Sequence, residues 1–187
     1  MMVRTALALA LALLALASPS AHAAAADHSK RLLDHLGAID QVPPAEALRD
    51  AAGDTPVEEA LFRVAADREL PDYPRRRAAM LLGAFPGATA RAYLETIAAT
   101  AELQDLRWAA IYAFVRSVAP QDLHAALAFA AQRLASPQPL DREAVIRALR
   151  HVPGPAAEAL VAKQQAADKD AAVQAAIRRF WLARRAP

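Results

Sequence analysis

The helical character of the chain is clearest at residues 107–113, which read Arg107-Trp108-Ala109-Ala110-Ile111-Tyr112-Ala113. In a helix of 3.6 residues per turn, this segment and the two residues after it carry two apolar stripes. One stripe holds Ala109, Ala110, Ala113 and Phe114, and the other holds Trp108, Ile111, Tyr112 and Val115. Because it is apolar on nearly all sides, this helix is predicted to be the central buried helix of the fold.

The same pattern of an arginine followed by small and aliphatic residues occurs twice more, at residues 77–83 and 142–148. The three copies begin at Arg77, Arg107 and Arg142, which gives spacings of 30 and 35 residues. A truncated fourth copy begins at Asp170. Helix pairs at a period of this size indicate an α-solenoid, because one pair cannot bury its apolar face without stacking on its neighbours.

The prolines define the starts of other helices, because proline fits the first helical turn, where no backbone N–H donor is needed. The clearest start has Thr55 as a cap, Pro56 in the first turn and Glu58 completing a capping box. Strand signals are nearly absent. The pattern predicts an all-α protein with helices at residues 27–36, 44–51, 56–70, 74–84, 89–101, 104–118, 120–135, 139–152, 155–167 and 169–183.

Residues 74–183, and more loosely residues 43–70, resemble the HEAT-like repeats, including the short class first known from phycobiliprotein lyases. The resemblance rests on arginine and alanine at the repeated positions described above. It implies a right-handed α-solenoid of about four HEAT-like helical pairs, formed by residues 24–187 as a single domain. It also implies that the second helix of each pair lines a concave face that binds partners. The resemblance does not identify the ligand.

The first 23 residues predict a cleavable secretory signal peptide. Arg4 supplies the basic start, residues 6–17 are an unbroken run of alanine and leucine, and Ala21 and Ala23 frame a cleavage site after Ala23. That run of 12 residues is shorter than the roughly 20 needed to cross a hydrocarbon core. The mature protein is therefore predicted to be periplasmic or secreted, with no transmembrane span.

The composition limits the chemistry available to the chain. There is no cysteine, which excludes thiol catalysis, disulfide exchange and cysteine metal sites. Without residues 1–23, 21 lysines and arginines stand against 20 acids. The basic clusters at residues 75–77 and 178–185 could suggest nucleic acid, but the balanced charge and the predicted export argue against such a partner.

Catalytic motifs are also missing from the sequence. No serine lies in a Gly-x-Ser-x-Gly elbow, and there is no phosphate-binding loop or His-Glu-x-x-His motif. His28 and His35 lie roughly 10 Å apart along a helix, too far to share one metal without other ligands. We predict no enzymatic activity, no cofactor and no metal site.

Partner recognition is therefore predicted for the second helices, where Phe129 lies off the main apolar stripe. Its ring is expected either to pack against a neighbouring helix or to be exposed as a recognition anchor. The candidate partner-binding surface consists of Arg91, Tyr93, His124, Phe129, Arg133 and Lys163.

The functional prediction is an exported, non-enzymatic scaffold that binds another protein. Its sharper form is an inhibitor or immunity protein that neutralises an envelope enzyme or toxin. One alternative is a helical-repeat enzyme, lyase-like or glycosylase-like, with a pocket on the concave face. Another is a structural protein of the cell envelope.

Overall fold

The computed structural model describes residues 19–85 and 87–185, with side chains from residue 27 onward. These residues form ten α-helices and no β-strand, which confirms the all-α prediction. Residues 1–18, which hold most of the predicted signal peptide, lie outside the described residues. The helices are α1 (Pro19–Gly37), α2 (Ala45–Ala52), α3 (Val57–Ala66), α4 (Asp72–Leu82), α5 (Ala88–Thr100), α6 (Gln104–Val118), α7 (Leu123–Leu134), α8 (Pro139–Leu149), α9 (Pro155–Ala167) and α10 (Ala171–Arg185).

The chain divides into two compact units between Thr55 and Pro56. In the first unit, α1 packs against α2. Gly53 ends α2 with a positive φ of 61°. A Cβ atom added there would lie 2.6 Å from the ring of His28, so both the backbone conformation and the space require glycine at this position. None of the described helices has the length and hydropathy needed to cross a membrane.

The second unit, residues 56–187, is built from two sets of helices. In what we call the first-helix layer, α4, α6, α8 and α10 pack side by side, each against the next. In the second-helix layer, formed by α3, α5, α7 and α9, contacts between neighbours are sparser. The layers are joined at the centre by α6, which contacts helices of both layers and buries eight of its residues.

Equivalent arginines join successive first helices through their connecting loops. Arg107 donates from Nη1 to two carbonyl oxygens of the connector before α6, at 2.8 and 3.1 Å, and from Nε to Asp141 at 3.3 Å. Arg142 repeats this arrangement with two carbonyls before α8, at 2.9 and 3.1 Å, and with Asp168 at 2.6 Å. The spacing of 35 residues between these two arginines is therefore also a structural repeat.

The matching arginine in α4 is Arg75, two residues before the predicted Arg77. Arg75 is buried and donates from Nε to the carbonyl of Ala65 at the end of α3, whereas Arg77 donates to the hydroxyl of Tyr73. Because residues 75–77 are all arginine, the sequence alone does not show which of them matches Arg107. The burial pattern agrees with Arg75 as the match. In each helix, the residues three, four, six and seven positions after the arginine are buried, namely 78, 79, 81 and 82 in α4, 110, 111, 113 and 114 in α6, and 145, 146, 148 and 149 in α8.

The predicted helix starts lie within two residues of the observed ones except at α1, which begins at Pro19 instead of residue 27, and at α7. The predicted capping box of Thr55 and Glu58 is wrong, because Pro56 occupies the N-cap position of α3 and no side chain caps that helix. The helix predicted from residue 120 begins instead at residue 123, because Asp122 accepts a hydrogen bond from the N–H of Ala125 at 2.9 Å. A capping carboxylate therefore sets this boundary more strongly than the preceding proline.

Candidate partner-binding surfaces

His124 of α7 and Lys163 of α9 line an open groove of about 450 Å³ between these two helices. Both side chains are exposed. The rest of the lining is entirely alanine and leucine, namely Leu127, Ala128, Ala156, Ala159 and Leu160. The groove therefore combines a mostly apolar lining with two nitrogen-bearing side chains.

Phe129 takes the packed alternative, and the exposed-anchor alternative is wrong. Its side chain is 8% exposed and stacks on Phe114 of α6, with ring centroids 4.0 Å apart. The guanidinium of Arg133 lies over the same ring, 5.2 Å from its centroid. Phe129 and Arg133 therefore help to join the two layers and do not extend the groove.

Arg91 and Tyr93, both on α5, make contacts with neighbouring helices. The Tyr93 ring stacks on Phe62 of α3 at a centroid distance of 4.2 Å. Arg91 pairs with Asp122, the N-cap of α7, at 3.4 Å. The hydrogen bond from the N–H of Ala125, together with Arg91, lowers the pKa of Asp122. Of the six predicted residues, the structure brings only His124 and Lys163 together in one groove.

A second candidate surface on α6 and α8 was not predicted. Trp108 and Tyr112 stack nearly parallel, with ring centroids 5.2 Å apart, and both are half-buried. The Tyr112 hydroxyl is hydrogen-bonded to Nε2 of His151 at 3.0 Å. Burial, followed by the charges of Arg116 and Arg150, lowers the pKa of His151. We call these five residues the aromatic–arginine cluster.

The sequence carries a signal for this cluster, although the apolar pattern of the helix predicts burial. Trp108, Tyr112 and Arg116 recur every four residues, which places them along one side of α6. Because the helix is apolar on nearly all sides, the pattern predicts a core position for Trp108 and Tyr112, whereas both are half-buried. His151 lies beyond the end of α8, so its contact with Tyr112 is set by the packing of the two helices.

The most strongly perturbed carboxylate has a structural role. Burial acts to raise the pKa of Asp168, but hydrogen bonds from Arg142, the N–H of Asp170 and Gln164 outweigh it and lower the pKa to about 2. The part of the chain that the structure describes contains no group of three or more histidine and acidic side chains able to hold a metal ion.

No protein-family model, curated protein or solved structure matches the chain. The HEAT-like resemblance therefore stays a prediction.

Proposed function

We propose that the mature chain is an exported helical-repeat protein that binds another protein and catalyses no reaction. The observation that supports this function best is the groove between α7 and α9. An open apolar groove bordered by polar side chains suits an apolar segment of a partner protein, because its burial removes hydrocarbon from water. Lys163 in the lining would favour an acidic residue beside that segment.

The proposed architecture is a right-handed HEAT-like solenoid of about four helical pairs. The repeated arginine contacts of Arg107 and Arg142 support a periodic stack. Two further contacts at a separation of 34 residues support it too, because Arg68 pairs with Glu102 and Gln104 bonds to Gln138. A stack of this kind offers a broad, rigid surface, which suits recognition.

The pattern of residues 1–23 supports export, and an exported chain would meet its partner in the periplasm or outside the cell. In its sharper form, the proposal is an inhibitor or immunity protein that neutralises an envelope enzyme or toxin. The enzyme alternative needs a closed pocket with two titratable side chains facing each other. The groove favours recognition, because it is open and because both of its titratable side chains, His124 and Lys163, are exposed.

The groove is tested by filling it without disturbing the core. Ala128 and Ala159 line the groove and are exposed, so Ala128→Arg/Ala159→Arg blocks it with little effect on folding. The matched control is Ala131→Arg/Ala162→Arg, which makes the same exchanges at exposed positions of the same two helices outside the lining. Circular dichroism confirms that all three proteins are folded.

Each tagged protein is expressed at native level, purified from periplasmic extract and compared for bound partner by quantitative mass spectrometry. We expect the groove variant to retain about tenfold less partner than the wild type, with the control unchanged. Equal retention by all three proteins, or no stable partner on the wild type, contradicts the proposal. Sequencing of the purified chain should begin at Ala24, and a chain beginning at Met1 would contradict export.

A further inference from the structure

The aromatic–arginine cluster faces away from the second-helix layer. Phe114 of α6 stacks on Phe129 of α7 and so marks the side of α6 that faces this layer. Tyr112 lies two residues earlier, about 200° around the helix. His151 contacts Tyr112 from the end of α8, so the cluster spans two adjacent helices of the first-helix layer. It is therefore a different surface from the groove between α7 and α9.

The three rings of the cluster are held in one arrangement before anything binds. Trp108 stacks on Tyr112, and Tyr112 is fixed to His151 by a hydrogen bond and by an edge-to-face ring contact at 6.0 Å. Side chains that are already ordered lose little conformational entropy on binding. Tryptophan, tyrosine and arginine are also the residue types that contribute most often to the energy of protein interfaces.

The positive charge of the cluster is not neutralised within the described residues. Both Arg116 and Arg150 are exposed and close enough to His151 to affect its titration, and neither has a carboxylate partner within 4.0 Å in the described part of the chain. Two acids lie on corresponding faces of α6 and α8, but they are already paired. Asp105 pairs with Arg76 at 3.6 Å, and Glu143 pairs with Arg147 at 2.6 Å.

The surroundings favour a polypeptide over a membrane. A protein that inserts into a lipid interface needs exposed aliphatic or aromatic side chains that can leave the protein surface. The large apolar residues that are well exposed in the described chain are Ile39, Val42, Leu123 and Leu182, and none of them lies on α6 or α8. Trp108 and Tyr112 are half-buried and stacked on each other, which suits contact with another protein surface.

We propose that the aromatic–arginine cluster is a second binding surface that takes a carboxylate-bearing segment of a partner protein. Arg116 and Arg150 bind its acidic side chains, and the exposed part of the Trp108 ring packs against an apolar side chain beside them. The proposal stands on this cluster alone and does not require the groove to be occupied.

The test uses the fluorescence of Trp108. The chain has two tryptophans, and Trp181→Phe leaves Trp108 as the only one. This protein is titrated with a synthetic peptide of alternating glutamate and leucine, and with a peptide in which glutamine replaces glutamate. We expect a saturable change in fluorescence with the glutamate peptide only. Arg116→Gln/Arg150→Gln in the same background should weaken binding about fivefold, since two exposed ion pairs are lost.

The matched control removes two exposed cations elsewhere, with Lys169→Gln/Arg179→Gln, and should bind the glutamate peptide as tightly as the parent. Equal binding of both peptides, or an equal loss in the control, overturns the proposal. Saturable binding to anionic phosphatidylglycerol vesicles with no response to the glutamate peptide would also overturn it, in favour of a membrane. The groove variants are assayed by partner capture, so either proposal can fail while the other stands.

Discussion

The two layers of residues 56–187 are built from the same helix pairs, yet they differ in how closely their helices pack. In the first-helix layer, the same four positions are buried in α4, α6 and α8, and Arg107 and Arg142 connect their helix pairs to the next. In the second-helix layer, the helices stand farther from one another and leave the groove between α7 and α9. The closely packed layer maintains the stack, and the looser layer leaves apolar surface for a partner.

This difference has a local chemical cause. The first helices carry alanines at their contacts, such as Ala110 and Ala113 of α6, and small side chains let helix axes approach closely. The side chains of Asp141 and Asp168, which accept from these arginines, are only 6% and 3% exposed. The exposed alanines of α7 and α9 have no such partners and line the groove instead. Four measurements would test the contrast between the layers.

The largest effect is expected at the ring contact that joins the layers. Phe114 is 1% exposed and stacks on Phe129, so Phe114→Ala should lower the free energy of unfolding by about 4 kcal/mol. Phe62 is half-buried and stacks on Tyr93 within the second-helix layer. Phe62→Ala should lower it by roughly 2 kcal/mol. Urea unfolding followed by circular dichroism measures both values, and equal losses would contradict the difference between the layers.

The next effect concerns the buried ion pair of the first-helix layer. The Asp168 side chain is 3% exposed, and Asp168→Asn leaves Arg142 without its charged partner. We expect the free energy of unfolding to fall by about 3 kcal/mol at neutral pH. Arg68 and Glu102 form the comparable exposed pair, with side chains 70% and 74% exposed, so Glu102→Gln should cost no more than about 0.5 kcal/mol.

The effect of Asp168→Asn on the free energy of unfolding should also depend on pH. The pKa of Asp168 is lowered from 3.8 to about 2 in the folded state, so its stabilisation is complete well above 3.8 and is lost as the pH falls through about 2. The difference in unfolding free energy between the wild type and Asp168→Asn should therefore shrink by about 2 kcal/mol between roughly pH 5 and pH 2. A difference that stays constant over this range would show that Asp168 is not stabilised as a carboxylate.

The sequence alone predicts that the helices exist, but it does not predict where several of them end or which surfaces they expose. Helices α6 and α9 begin and end where hydrophobic periodicity and proline predict. The helix predicted to reach residue 70 ends at Ala66, where Asp67 accepts from the N–H of Glu69 and forms a local turn. Such short-range hydrogen bonds compete with the helix and leave little trace in the hydrophobic pattern.

The candidate surface was only partly predictable for a related reason. His124 and Lys163 were found because both lie on second helices at the layer assigned to recognition. Phe129 and Tyr93 have the same helical placement, but their rings stack on Phe114 and Phe62 from other helices. Helical periodicity gives the side of a helix on which a residue lies, whereas the neighbour that covers that side depends on tertiary packing.

The smallest effect is expected in the electrostatics around His151, just beyond the end of α8. Its pKa is lowered by burial, Arg116 and Arg150, so the folded state binds this proton less readily than the unfolded state. His151 therefore contributes a loss of stability that grows as the pH falls below 6.5, the usual value. NMR titration of the wild type should give a pKa below 6.5. Arg116→Gln and Arg150→Gln should each raise it, whereas Lys169→Gln should not.

The NMR titration also sharpens the contrast between the layers, because it reports charge and not packing. If the arginine variants raise the pKa of His151 while the unfolding free energy stays the same, the two cations contribute potential at the surface and little to the stack. That separation is expected of residues placed for recognition, because binding side chains are often exposed and weakly coupled to stability. A pKa of His151 that neither variant changes would show that burial alone lowers it and that the positive potential at the cluster is weak.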